Sequence, residues 1–194
     1  MDSLLIEIGT EEIPAGYINP ALKALAETLQ RKMTEARIEH GSAEIFGSPR
    51  RLSVRIEKVA AKQLPLETEL TGPPLKVGFD ESGKPTMAGQ KFAEKVGVGV
   101  NKLKIKETSK GAYLAAEKSE RGLATKTLLK EILPAVILSA PFPKKMRWAS
   151  LDIEFARPIQ STVALLGKNV IQFQLGNFKS GRITRGHYFM SPGR

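Results

Sequence analysis

The sequence contains no cysteine. Disulfides, thiol nucleophiles and thiolate metal sites are therefore excluded, and a reducing compartment fits; a cytoplasmic location is expected. Histidine is nearly as scarce, with only His40 and His187. Neither a His-Glu-x-x-His run nor any other metal-ligand spacing occurs, so no metal site is expected. The Gly-x-Ser-x-Gly elbow of serine hydrolases and the phosphate-binding P-loop are both missing. Gly97-Val98-Gly99 starts like a dinucleotide loop, but Lys102 takes the third glycine position and no buried strand precedes it. Glu11 and Glu12 are sequence neighbours that point in different directions, so they do not make an acid–base pair across one substrate. No apolar run reaches the roughly 18 residues of a membrane span, and no basic segment leads into an apolar one at the start. Neither a membrane segment nor a signal peptide is expected, and no reaction centre is found.

What is present is a core-forming chain with an excess of positive charge. Of 194 residues, 41% are hydrophobic, and the formal net charge is +10. That length fits one large domain or two small ones. Residues 1–60 carry a net charge of −1 and residues 61–140 a net +4. Residues 141–194 hold nine Lys and Arg against two acids, a net +7, with Phe142, Trp148, His187, Tyr188 and Phe189 among them. Arginine forks match phosphate, and aromatic faces stack on bases. Lys144, Lys145, Arg147, Arg157, Arg182, Arg185 and His187 are thus candidate nucleic-acid contacts, with Arg50 and Arg51 ranked behind them. The plain alternative is a solvated basic face, with Trp148 filling core.

Along the chain, Leu4, Ile6 and Ile8 define one wholly apolar face of a strand, and Gly9 ends it. This strand is the expected centre of the sheet. Asn19-Pro20 reads as a helix start, with Leu22, Leu25, Leu29 and Met33 at helical spacing and Gly41 as the closing glycine. A turn at residues 48–50 leads into a half-buried strand over 52–59. Residues 61–121 are broken by Pro65, Gly72, Pro73, Pro74, Gly78 and Gly83, which predicts a loop-rich subdomain with a short helix over 85–96 and a hairpin from 103 to 118. A helix follows over 123–139, kinked or restarted at Pro134. Alternation predicts a strand over 151–155, and Gly167-Lys168-Asn169 a hairpin between strands at 159–166 and 170–175. The fold class is α+β: a mostly antiparallel sheet packed with helices. The main domain is expected from 1–60 and 122–194, with a smaller α+β subdomain at 61–121 inserted between.

Five segments stand in a distinctive order: residues 4–14, Gly47-Ser48-Pro49-Arg50-Arg51-Leu52, Pro143-Lys144-Lys145-Met146-Arg147-Trp148, Phe155-Ala156-Arg157-Pro158-Ile159 and Arg185-Gly186-His187-Tyr188-Phe189-Met190. Together they resemble the N-terminal region of the bacterial glycyl-tRNA synthetase beta subunit. The resemblance spans essentially the whole chain and implies an N-terminal fragment of a much longer subunit. It implies an alpha2beta2 enzyme that attaches glycine to tRNA(Gly) with ATP and Mg2+. The aminoacylation site would lie on the alpha subunit, and this fragment would hold no cofactor and no catalytic residue. It also implies similarity to the body and tail domains of archaeal CCA-adding enzymes, which hold the tRNA acceptor arm. Two roles follow as alternatives: direct tRNA binding through the late cations, or an assembly module without RNA contact. In the latter, Phe142, Met146 and Trp148 would anchor the alpha chain or the rest of beta.

Overall fold

The structure, a computed structural model, describes residues 1–80, 82–109 and 111–186. The expected α+β class holds. In chain order the elements are β1 (Asp2–Thr10), α1 (Ala15–Glu35), β2 (Ala43–Ser48), β3 (Arg51–Val59), β4 (Leu66–Pro74), α2 (Leu75–Gly78), α3 (Met87–Val96), β5 (Lys104–Thr108), β6 (Gly111–Glu120), α4 (Thr125–Leu138), β7 (Ile159–Leu166), β8 (Asn169–Val170), β9 (Gln174–Leu175) and β10 (Phe178–Lys179). They form two compact units, Met1–Leu64 with Leu123–Arg194, and Pro65–Gly122. No helix among the described residues is long and apolar enough to cross a membrane.

The first unit is built on an antiparallel sheet in the order β2-β3-β1-β7-β8. The first strand is indeed its centre: Ile6 faces Val54 on one side and Ala164 on the other. Leu4, Ile6 and Ile8 are buried. They share one core with Leu22, Leu25, Leu29 and Met33 of α1 and with Leu129, Leu133, Val136 and Ile137 of α4. Helix α1 also rides over β2 at Gly47, where an added Cβ would lie 2.6 Å from Ile18 Cγ2 and 2.7 Å from Leu22 Cδ1. A side chain there would have to displace the Ile18 and Leu22 side chains that pack over the strand.

Helix α1 corrects the expected boundaries at both ends. It begins at Ala15, so Pro20 lies inside it. Ile13 is buried, and its N–H is held by Pro49 O at 2.7 Å. The chain therefore enters the helix at Pro14, which has no N–H to lose. Pro20 deprives only Gly16 O of its helical donor, and Gly16 is exposed, so water can serve that carbonyl. At the other end the left-handed residue is Arg37, with φ 55°, and not Gly41. Ile38 N–H donates to Met33 O at 2.8 Å and Arg37 N–H to Thr34 O at 2.9 Å, the paired bonds of a Schellman turn. Both Ile38 and Met33 are buried, and this apolar pair sets the stop.

Elsewhere, α4 runs continuously through Pro134. Residues 151–154 form no strand, against expectation. Only a main-chain bridge joins Met146 to Phe155. Leu151 and Ile153 lie over the turn at Gly176, so their alternation is satisfied by packing without a neighbouring strand edge. After Gly167 (φ 55°), the expected strand over 170–175 is broken: β8 is two residues long, Ile171 N–H still donates to Ala164 O at 2.9 Å, and only Gln174–Leu175 resumes as a strand, β9, paired with β10.

The second unit is a three-stranded antiparallel sheet, β4-β6-β5, with α3 packed on it. The 103–118 hairpin is present as β5 and β6. Strand β4 was hidden by its prolines and glycine and by an almost wholly exposed side-chain pattern. Residues 61–64 group with the first unit: Gln63 N–H donates to Leu123 O at 3.0 Å and Leu64 N–H to Arg37 O at 2.8 Å.

Thr162 Oγ1 is buried in β7 and has no hydrogen-bond partner among the described residues. An unsatisfied buried hydroxyl costs about 1–3 kcal/mol, while an apolar group of the same shape avoids that cost. Thr162→Val is therefore expected to raise the thermal midpoint, by about 2–4 °C per kcal/mol gained. A lower midpoint on calorimetry would show that the hydroxyl has a partner.

Candidate nucleic-acid interface

The basic loop at residues 141–148 is pinned at both ends. Phe142 is 8% exposed and meets Phe155 edge-on, with ring centroids 4.8 Å apart. Met146 and Phe155 exchange main-chain hydrogen bonds of 2.9 and 3.2 Å. Trp148 is half-buried against the core. Between these anchors Lys144 and Lys145 are exposed and make no ion pair among the described residues. Arg147 is paired through Nε with Glu154 Oε1 at 2.9 Å. Phe142, offered above as an interface anchor, is occupied by its own core; Met146 remains 39% exposed.

A second feature was not read from the sequence as a site. Residues 9–12, 48–51, 160–161 and 185–186, with Glu7, enclose a cleft of about 380 Å³ at the end of β1. Sheet register brings them together: Gly9 lies between Arg51 of β3 and Ser161 of β7. A Cβ on Gly9 would overlap Ser161 Oγ, so glycine is what lets that hydroxyl cross the strand. The acidic turn after β1 is clamped from two directions. Thr10 N–H donates to Arg50 O at 2.9 Å, and Glu11 N–H donates to Pro158 O at 3.0 Å.

The cations of this region are largely engaged within the protein. Arg50 lies 3.3 Å from Glu12, and Arg51 lies 3.6 Å from Glu7. Arg51 also donates to the Arg185 carbonyl, and Thr184 donates to Glu7. Gln160 donates to Glu11 at 2.9 Å. Arg157 donates to Glu12 O and Ala156 O, both at 3.0 Å, which makes it a brace for the acidic turn. Arg182 donates to Lys168 O at 3.1 Å. Arg185 lines the cleft. His187 lies outside the described residues. The candidate residues thus fall into a loop group (Lys144, Lys145, Arg147) and a cleft group (Arg50, Arg51, Arg185), with Arg157 bracing the latter and Arg182 in neither. Glu7, Gly9, Gln160 and Ser161 were missed because nothing local marks them. Their signal is that residues 7–12, 48–51, 158 and 185–186, drawn from four of the five ordered segments, meet at or beside one turn.

This arrangement defines a class: an α+β protein with an inserted antiparallel sheet, presenting exposed lysines and a cleft of paired arginines and carboxylates. Comparison with known sequences narrows it. The profile of the glycyl-tRNA synthetase beta subunit family matches residues 4–194. The chain is 53% identical over 192 residues to the glycine–tRNA ligase beta subunit of Desulfatibacillum aliphaticivorans, covering 99% of this chain and 28% of that protein. It is 50% identical over 194 residues to the Desulforapulum autotrophicum subunit, covering 100% and 28%. For the Myxococcus xanthus subunit the identity is 45% over 189 residues, covering 97% and 27%. The chain belongs to the glycyl-tRNA synthetase beta subunit family, and it spans a little over a quarter of the length of these relatives.

Proposed function

We propose that this chain contributes tRNA contact to a glycine–tRNA ligase. The observation that carries the reading is the pair of exposed, unpaired lysines on a loop held rigid by Phe142 and Phe155, in a chain of this family. Cations on a fixed support meet a polyanion without first being ordered, which lowers the entropic cost of binding. The whole protein then attaches glycine to tRNA(Gly) in the cytoplasm with ATP and Mg2+. Its partner is an alpha subunit that holds the aminoacylation site, in an alpha2beta2 assembly. On this reading the first unit is the body-like part, the Pro65–Gly122 unit is the tail-like insertion, and the acceptor arm is the tRNA element met.

Filter binding of tRNA at 50 and 200 mM salt tests the reading. Each phosphate contact contributes a slope of about −0.7 to −0.9 in log K against log salt. Three or four contacts therefore weaken binding by about 20–150-fold across that range. No binding at 50 mM, or binding indifferent to salt, would overturn it. The exposure of Met146 beside Trp148 favours a second reading, an assembly module holding the alpha chain or the rest of beta. Capture of the alpha chain without any tRNA binding at low salt would select that one.

A further inference from the structure

The cleft at the end of β1 is chemically unlike the lysine loop. Its lining holds three carboxylates, Glu7, Glu11 and Glu12, and three guanidiniums, Arg50, Arg51 and Arg185, so its formal charge is zero. A phosphate backbone laid in it would face three acids and gain little. A cationic peptide would have to displace the arginines from Glu7 and Glu12. The paired groups nevertheless keep hydrogen-bonding capacity, because a carboxylate has about four acceptor positions and a guanidinium five donors. Donors and acceptors alternating at hydrogen-bond spacing are what the edge of a nucleobase displays, and a carboxylate can take an exocyclic amine while arginine serves a ring nitrogen or carbonyl. The volume, about 380 Å³, lies in the range of small-ligand sites. Ser161 Oγ, in the lining beside Gly9, makes no hydrogen bond within the protein among the described residues, and neither does the Arg185 side chain.

We propose that this cleft receives one unpaired nucleotide of a bound RNA, its base edge read by Glu7, Glu11 and Ser161 and its phosphate met by Arg185 at the rim. The proposal rests on the RNA-contact reading above and adds a base-reading site to it. RNA recognition with sequence preference works through such splayed single-stranded bases. The net +7 of residues 141–194 supplies the attraction that delivers a polyanion to a cleft which itself has none.

The test uses the full chain and four labelled single-stranded pentanucleotides that differ only at the central base, titrated by fluorescence anisotropy at 50 mM salt. Discrimination of about tenfold between best and worst base is expected. Glu11→Gln, which keeps the size of the side chain and an acceptor for Gln160, should compress it to about twofold. Ser161→Ala serves as the second variant. Lys144→Gln with Lys145→Gln should instead lower all four affinities equally. Equal binding of all four bases by the parent overturns the nucleotide site while leaving backbone contact standing, and is also what a peptide-binding cleft predicts. Full discrimination retained in both cleft variants overturns the residue assignment. No binding to any pentanucleotide, with tRNA still bound, overturns the cleft site alone; loss of tRNA binding as well overturns both readings.

Discussion

Replacing Phe155 by alanine is expected to destabilise the protein by about 3–5 kcal/mol, the range for removing a buried aromatic ring. Phe155 is 0% exposed and among the largest fully buried side chains of the chain. Its ring is the surface on which Phe142 stands, and its main chain carries both bonds to Met146. The cavity left would sit between the basic loop and the core, so the loss has a local signature as well as a global one. The thermal midpoint should fall by roughly 10 °C or more, and trypsin should cut faster after Lys144 and Lys145. Phe155→Leu keeps most of the buried volume and should recover most of both effects. A midpoint within a degree or two of the parent would mean that the ring does not anchor the loop.

Phe155 also shows where sequence and structure part. Its alternation with Ile153 and Leu151 was genuine, and all three side chains do pack inward to some degree. Alternation reports which side chains are buried, and says nothing of whether a strand edge is available for the ladder. The first strand was legible because Leu4, Ile6 and Ile8 sit between two partners that satisfy both requirements at once. The limits of α1 differ from those expected because Pro20 and Gly41 are strong local signals, whereas a tertiary contact decides the start and a turn at Arg37, which no glycine marks, decides the stop. Ile13 is fixed by Pro49, and Ile38 closes over Met33. Strand β4 carried no signal because an exposed edge strand needs no apolar face and tolerates proline. The basic loop was legible from composition alone. The cleft was not, since Gly9, Arg51 and Ser161 become neighbours only through the register of three strands.

Neutralising Lys144, Lys145 and Arg147 together to glutamine is expected to weaken tRNA binding at low salt by about 10–100-fold, or roughly 1.4–2.8 kcal/mol. The salt slope should fall by about 2–3 if all three meet phosphate. Arg147 decides how this result is read, because Glu154 already holds it at 2.9 Å. Both partners are about half or more exposed, and an exposed pair is worth only about 0–1 kcal/mol. A phosphate can therefore take over the guanidinium at small cost. Removing Arg147 alone would also leave Glu154 as an uncompensated negative charge facing the RNA, exaggerating the loss. Arg147→Gln combined with Glu154→Gln separates these contributions: if it binds like the parent, Arg147 is paired for the fold and the two lysines carry the contact. If it loses affinity and about one unit of salt slope, the guanidinium itself reaches phosphate. Parent-like affinity and slope in the triple variant would remove the loop from the interface, leaving Arg182 and Arg185, among the remaining late cations, as the next to test.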